Sequence, residues 1–222
     1  LLARLRGVIG MRQCADVLAR DGIVFIERAL ERAEFDSIVE QLGAVIAEEA
    51  IQLRPRAHAY VSKPGRVPLH TDHPDVDFIA WHCIEQDLND GASLLLDTRP
   101  VLAAMENTSP ANYARLFDTS LVCPPLAGGP PTLTRAVLRS DREGTHLFCS
   151  PWLTAVDSSD GRGEALAELR ERLSISAETR CVSHRMQRGG AVIVDNRRVL
   201  HGRGPIAADS KRHLRRVWIA RW

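Results

Sequence analysis

From residue 57 onward the chain is a succession of short apolar or alternating stretches, HAYVS, FIAWHCI, ASLLLD, RAVLR, HLFCS, AVIVDN and RRVWIAR, parted by Gly, Pro and Asp turns. Stretches of this length with β-branched and aromatic residues read as strands, and strands in such close series point to an antiparallel β-sandwich or barrel. One helical insert is predicted at 163–173, where Leu166, Leu169 and Leu173 share a face. A second helix is predicted over 100–106, with Pro100 acceptable at its start.

The first fifty residues differ. Residues 11–20 read as a short helix, the turn signal Asp21-Gly22 precedes a strand at 23–27, and ERAEFDSIVEQLGAVIAEEA reads as an amphipathic helix of several turns through Phe35, Ile38, Val39 and Leu42. Residues 1–50 are therefore an α/β entrance to a β core spanning 57–222. The stretch 118–132, broken by Pro124, Pro125, Gly128, Gly129, Pro130 and Pro131, reads as a surface loop bordering a pocket. At 222 residues a single domain is expected.

Composition excludes several classes. With 45% apolar and 26% charged residues the chain is an ordinary globular one, neither disordered nor fibrous. A formal charge of +1 provides no global field toward nucleic acid or an anionic membrane, so neither is expected as a partner. No apolar run reaches the roughly 18–20 residues of a membrane span, and arginine interrupts the opening LLARLRGVIGMRQ, so a cytoplasmic location is expected. The five cysteines are scattered with no C-x-x-C pair, which suits buried, reduced thiols better than disulfides or a zinc site.

Two segments carry metal chemistry. In Val67-Pro68-Leu69-His70-Thr71-Asp72, an extended backbone turns His70 and Asp72 to one face, where one imidazole and one carboxylate can meet a single ion. H-x-D alone is a weak signal. It gains weight from GGAVIVDNRRVLHGR at 189–203, a buried strand after a glycine turn that ends in polar residues and delivers His201. Two histidines and one carboxylate on one side of an octahedron leave three positions open, the arrangement of non-haem Fe(II) oxygenases.

At this point the sequence resembles the taurine dioxygenase and clavaminate synthase-like family of Fe(II)/2-oxoglutarate oxygenases. The resemblance runs through DGIVFIERALERAEFDSIVEQLG, VPLHTD and, most specifically, VIVDNRRVLHGR. It implies a mainly β fold with flanking helices, the jelly-roll or double-stranded β-helix, with iron held by His70, Asp72 and His201 near one open end. It also implies an arginine for the distal carboxylate of 2-oxoglutarate shortly after the second histidine, and Arg212 stands eleven residues after His201. In KRHLRRVWI a period of two puts Arg212 and Arg216 on one face and Arg215 on the other. Arg216 matches the family's second arginine, near the 2-oxo-acid end, and Ser93 resembles a threonine that supplies a hydroxyl to the same co-substrate.

Other residues read more plainly. His73 follows Asp72 on the opposite face, and His82 alternates with Trp81 as a packed strand histidine. His58 and Tyr60 fit either a half-buried strand or the substrate pocket, and Asn196 and Arg197 either a turn or the barrel mouth.

The implied activity is oxidation of an unactivated C–H bond with dioxygen and 2-oxoglutarate, releasing succinate and CO2. Because Asp72 is a carboxylate, no coordination position is vacant for halide, which favours hydroxylation. The implied substrate is a small amino-acid-like metabolite or a carrier-tethered aminoacyl group, in natural product biosynthesis. A non-catalytic jelly-roll binding protein would have lost a triad residue or Arg212, and a cupin-type metal enzyme would be richer in histidine at the first motif without the late arginine. The sequence favours the oxygenase over both.

Overall fold

The computed structural model describes residues 4–5, 11–54, 60–87, 90–123 and 133–222. Numbered in chain order, the larger sheet runs β1 (Arg4–Leu5), β2 (Ile23–Ile26), β12 (Ala191–Asp195), β5 (Phe78–Glu85), β14 (His213–Ala220) and β3 (Ala44–Gln52). It is antiparallel except for β1 against β2. The smaller sheet runs β11 (Val182–His184), β6 (Ser93–Asp97), β13 (Val199–Arg203) and β4 (Val67–His70), all antiparallel. Two further antiparallel pairs stand outside both, β7 (Ser120–Cys123) with β8 (Leu133–Ala136) and β9 (Leu138–Asp141) with β10 (Gly144–Leu147). The helices are α1 (Met11–Asp21), α2 (Arg32–Leu42), α3 (Arg99–Thr108), α4 (Pro110–Asp118) and α5 (Arg162–Arg180). The chain crosses repeatedly between the two sheets, from β4 to β5 and from β12 to β13 among others, and this winding is the expected double-stranded β-helix.

Period-two alternation explains why the larger sheet is buried on both faces. Ile23, Phe25, Ile79, Trp81, Val192 and Val194 form the core between the sheets with Leu95 and Val199. Their neighbours Val24, Ile26, Ala80 and Ile193 form a second core with Leu18 of α1 and Phe35 and Val39 of α2. Each large apolar side chain fully buried in this way contributes about 1.5–3 kcal/mol. A third core joins Met105, Leu116, Leu166 and Leu169 of the later helices to Leu96 and Leu200 on the outer face of the smaller sheet.

Several local expectations shift. The helix read across 31–50 ends at Leu42, and AVIAEEA is strand β3. A Cβ on Gly43 would lie 1.9 Å from the Ala220 carbonyl oxygen, so the close approach of β14 ends the helix there. Beyond it, a full ladder to β14 outweighs the helix preference of Ala and Glu. The insert at 163–173 is longer, as α5, and α4 was not anticipated. In the region read as a loop, α4 and β7 cover 118 and 120–123, while 124–132 lie outside the described residues. Of HAYVS, 57–59 lie outside them too, and 60–62 form one 3-10 turn.

Cys14, Cys83, Cys149 and Cys181 are free. Burial pushes the Cys14 thiol up to about 12 and that of Cys83 to about 11, leaving both protonated and unreactive. Among the described residues no helix is long and apolar enough to cross a membrane.

Candidate active site

Strand β4 ends at His70, and the chain turns into the larger sheet through residues 71–77. His201 is the cross-strand partner of His70, with ring centroids 4.4 Å apart. Asp72 comes from the turn just beyond β4 rather than from the strand itself. The turn nonetheless brings it to the pair: His70 Nε2 lies 3.4 Å from Asp72 Oδ1, and His201 Nε2 lies 3.6 Å from Asp72 Oδ2. Among the described residues this is the one group of three whose ligand atoms, one from each residue, all fall within 4.8 Å of one another.

The electrostatics suit a cation. Burial, reinforced by the neighbouring His70, lowers the pKa of His201 to about 4, so its ring is neutral at pH 7. Neither ring nitrogen of His201 has a hydrogen-bond partner among the described residues. His70 Nδ1 lies 2.8 Å from the Pro68 carbonyl oxygen; donating there leaves the Nε2 lone pair for a ligand. Burial opposes the charge on Asp72, but Arg216 and then His201 outweigh it and hold the carboxyl well below the usual range. The neutral His201 ring, the Nε2 of His70 and one ionised carboxylate are a donor set that Fe(II) fits.

Arg216 and Trp218 support Asp72 from β14. Arg216 Nη1 donates to Asp72 Oδ2 at 2.9 Å and Trp218 Nε1 donates to the same oxygen at 2.8 Å. Arg216 Nη2 donates to Glu49 Oε2 at 2.7 Å, Glu49 being its direct partner across β14 and β3. Arg215 faces the other way, donating to Glu48 at 2.6 and 2.7 Å and lying over the Phe35 ring.

Arg212 is different. It is 6% exposed, and its guanidinium makes no hydrogen bond among the described residues. Burial, then the nearby Arg203, lowers its pKa to about 10. Arg203 is itself buried and, among the described residues, donates only to carbonyls, those of Val61, Lys63 and Gly65, at 2.8, 2.7 and 2.9 Å. Both arginines line one cavity with His70, His201, Ser93 and Arg216, and Trp81, Leu95 and Leu214 form apolar walls. Gly91 makes room for this arrangement: it has φ +71°, and a Cβ there would lie 2.7 Å from Arg212 Cδ.

The remaining candidates separate from the site. His82 packs, with Nε2 3.1 Å from the Leu30 carbonyl oxygen and its ring stacked on Phe35 at 4.8 Å. His73 is buried in the turn, where Nδ1 accepts the Asp75 N–H at 3.3 Å. Arg197 is ion-paired to Asp195 at 3.0 Å and Glu143 at 2.7 Å, and His58 lies outside the described residues. Trp218 and Arg203 were missed by sequence reasoning, although each stands two residues from a candidate on the same strand face, Arg216 and His201 respectively.

Comparison with known proteins agrees with this architecture. The family model "Taurine catabolism dioxygenase TauD, TfdA family" matches residues 3–218. The 3-((Z)-2-isocyanoethenyl)-1H-indole synthase of Fischerella ambigua (strain UTEX 1903) is 26% identical over 223 aligned residues, covering 86% of this chain and 78% of that protein. Asparagine oxygenase, solved with Fe(II), 2S,3S-3-hydroxyasparagine and succinate, superposes with a TM-score of 0.72 at 20% identity, covering 95% of this chain and 78% of its own. PvcB, an Fe, alpha-ketoglutarate dependent oxygenase from an isonitrile synthetic pathway, superposes with a TM-score of 0.68 at 21% identity over 97% of this chain and 82% of its own. At these identities the structural likeness carries the fold. The family match extends through both histidine motifs and the late arginines, so the chain belongs to the TauD, TfdA family and is a non-haem Fe(II)/2-oxoglutarate-dependent dioxygenase.

Proposed function

We propose that the chain hydroxylates an unactivated C–H bond of a small amino-acid-like substrate, with iron held by His70, Asp72 and His201 and 2-oxoglutarate anchored by Arg212 and Ser93. The observation that carries this reading is Arg212, a buried cation with no carboxylate partner among the described residues, on the cavity that the two histidines line. A buried guanidinium without a direct ion pair is unfavourable, Asp87 attracting it only from beyond ion-pair distance, and the far carboxylate of a dicarboxylate supplies that pair through two parallel hydrogen bonds.

When bound, iron and 2-oxoglutarate supply the oxidising power, the co-substrate leaving as succinate and CO2. The protein's own residues supply placement. Arg212 and the Ser93 hydroxyl orient the co-substrate from its far end. Arg216 and Trp218 hold Asp72 through Oδ2, so that its carboxylate would be fixed in place to ligate the metal. Trp81, Leu95 and Leu214 keep water from the cavity wall. The carboxylate of Asp72 leaves no position for halide, which supports hydroxylation. The site draws on both sheets, which supports reading residues 1–222 as one oxygenase domain. Buried free thiols accord with a cytoplasmic setting.

Support for an amino-acid-like substrate comes from asparagine oxygenase and its bound hydroxyasparagine. A second reading, an amino acid already converted at nitrogen to an isonitrile, is favoured by the isocyanoethenyl-indole synthase and PvcB. The test is to load the protein with Fe(II) and 2-oxoglutarate without oxygen and admit air in the presence of free amino acids, their isonitriles, or aminoacyl carrier proteins. Succinate and product mass are then followed. Substrate-dependent succinate with gain of one oxygen atom is expected. Loss of two hydrogens would replace hydroxylation by desaturation, and no substrate-dependent succinate from any arm would overturn the assignment.

A further inference from the structure

Two chain crossings join the same pair of sheets beside the metal seat: residues 71–77 lead from β4 to β5, and residues 196–198 lead from β12 to β13. Asn196 opens the second crossing and is 2% exposed. Its carboxamide is used up against the first crossing. Oδ1 accepts the Asp72 N–H at 2.8 Å, and Nδ2 donates to the Val76 carbonyl at 2.8 Å and the His73 carbonyl at 3.2 Å. Its backbone N–H donates to the Asp77 carbonyl at 2.8 Å. Two donors and one acceptor are required on one short side chain, and among residues of this size only asparagine offers them.

We propose that Asn196 is the positioning residue for the Asp72 backbone, closing the 71–77 turn in the metal-free protein so that Arg216 and Trp218 hold a carboxylate already directed at His70 and His201 when metal arrives. This rests on the three-residue metal seat proposed above. The need for such a residue follows from where β4 stops. The strand ends at His70, so the Asp72 peptide has no ladder partner, and its direction is set by the turn alone. Thr71 is held by Cys149, its N–H donating to the Cys149 carbonyl at 2.9 Å and its Oγ1 accepting the Cys149 N–H at 3.0 Å. Asn196 fixes the next peptide. Because it precedes His201 by five residues, it also couples the two segments that present the ligands. Ligands aimed by supported backbone keep their geometry, whereas unsupported ones spend binding energy on ordering.

Hydrogen exchange and Mn(II) binding test this together. Peptides covering 70–77 should exchange slowly in the metal-free parent and slow little further with Mn(II); in Asn196→Ala they should exchange fast until Mn(II) is added. The Mn(II) dissociation constant, read from the electron paramagnetic resonance of the free ion, should rise about 10–100-fold in Asn196→Ala, the range for loss of an outer support. The affinity of the Mn(II)-saturated protein for 2-oxoglutarate should stay nearly unchanged. Asn112→Ala is the stability control, because its Nδ2 donates to Glu168 at 2.6 Å between α4 and α5. It should lower the melting temperature without weakening Mn(II). Equal losses of Mn(II) affinity in the two variants, or parent-like affinity in Asn196→Ala, would overturn the role of Asn196 while leaving the metal seat intact. Should Asn196→Ala fail to fold, the parent alone decides: a 70–77 turn that exchanges freely without metal and orders only with Mn(II) overturns the proposal. A parent that binds no Mn(II) overturns the metal seat itself.

Discussion

Arg216 and Asp72 form a buried ion pair at 2.9 Å, their side chains 8% and 10% exposed. The arginine is thus the cation that balances Asp72 before any metal does. Replacing it strands a buried carboxylate, at a cost of about 3–5 kcal/mol. We expect Arg216→Met to melt well below the parent without metal and to gain more than the parent from Mn(II), because the ion restores the missing charge. Thermal unfolding with and without Mn(II) measures both. Equal metal-induced shifts in the two proteins would show that Arg216 is not the counter-ion.

Arg212 should separate co-substrate binding from metal binding. Arg212→Ala is expected to cost about 2–5 kcal/mol of 2-oxoglutarate affinity, as loss of one partner of a buried charge pair does. At about 1.4 kcal/mol per decade that raises the dissociation constant by one to three decades or more. Arg212→Lys should also bind weakly for want of the planar fork. Calorimetry on the Mn(II)-loaded variants reads this, with Mn(II) affinity near the parent's. Arg215→Ala, on the opposite face, is the control and should leave 2-oxoglutarate affinity alone.

Gly91→Ala offers an independent route to the same arginine. The left-handed backbone, φ +71°, costs a residue with a Cβ about 1–2 kcal/mol. The new methyl would also lie 2.7 Å from both Arg212 Cδ and Ile206 Cγ2. A lower melting temperature together with weaker 2-oxoglutarate binding is expected. A loss of stability alone would mean that Arg212 moves aside freely.

Acid sensitivity should be traceable to Glu168. Hydrogen bonds from Asn112 and Ser109, at 2.6 and 2.7 Å, and then Arg172 hold its carboxyl at about 2. A folded pKa below the unfolded value of about 4.3 gives stability that is present above that value and lost as pH falls toward 2. Glu168→Gln should be less stable than the parent near neutrality and lose less between pH 4.5 and 2. Parallel pH–stability curves for the two proteins would remove Glu168 from the acid response.

Much of this molecule is written in local pattern. Alternation in IVFI, FIAWHCI and AVIVD sets which side chains face the helices and which face the other sheet, because successive residues of a strand must point to opposite sides. The same rule puts Arg216 on the cavity side and Arg215 outside, and Arg212, one residue before β14, lines the cavity as well. H-x-D and the later histidine, which the structure places in the middle of β13, could be picked out as candidates, since their residue types and spacing carry chemistry before any fold is known.

Other features had no local signal. AVIAEEA has the composition of a helix and became β3 because β14 offers it a ladder. Glu49 became the partner of Arg216 through that pairing, across 167 residues of sequence. Asn196 reads as a turn residue, and only the meeting of two sheet crossings gives its carboxamide the Asp72 peptide 124 residues away. The sequence by itself determined the faces of strands such as β2, β5 and β12 and the candidate ligands, since period and residue chemistry are local properties. The partners of those residues were decided by tertiary structure, because hydrogen bonds and ion pairs reach only a few ångströms and which groups come that close depends on how distant strands pair.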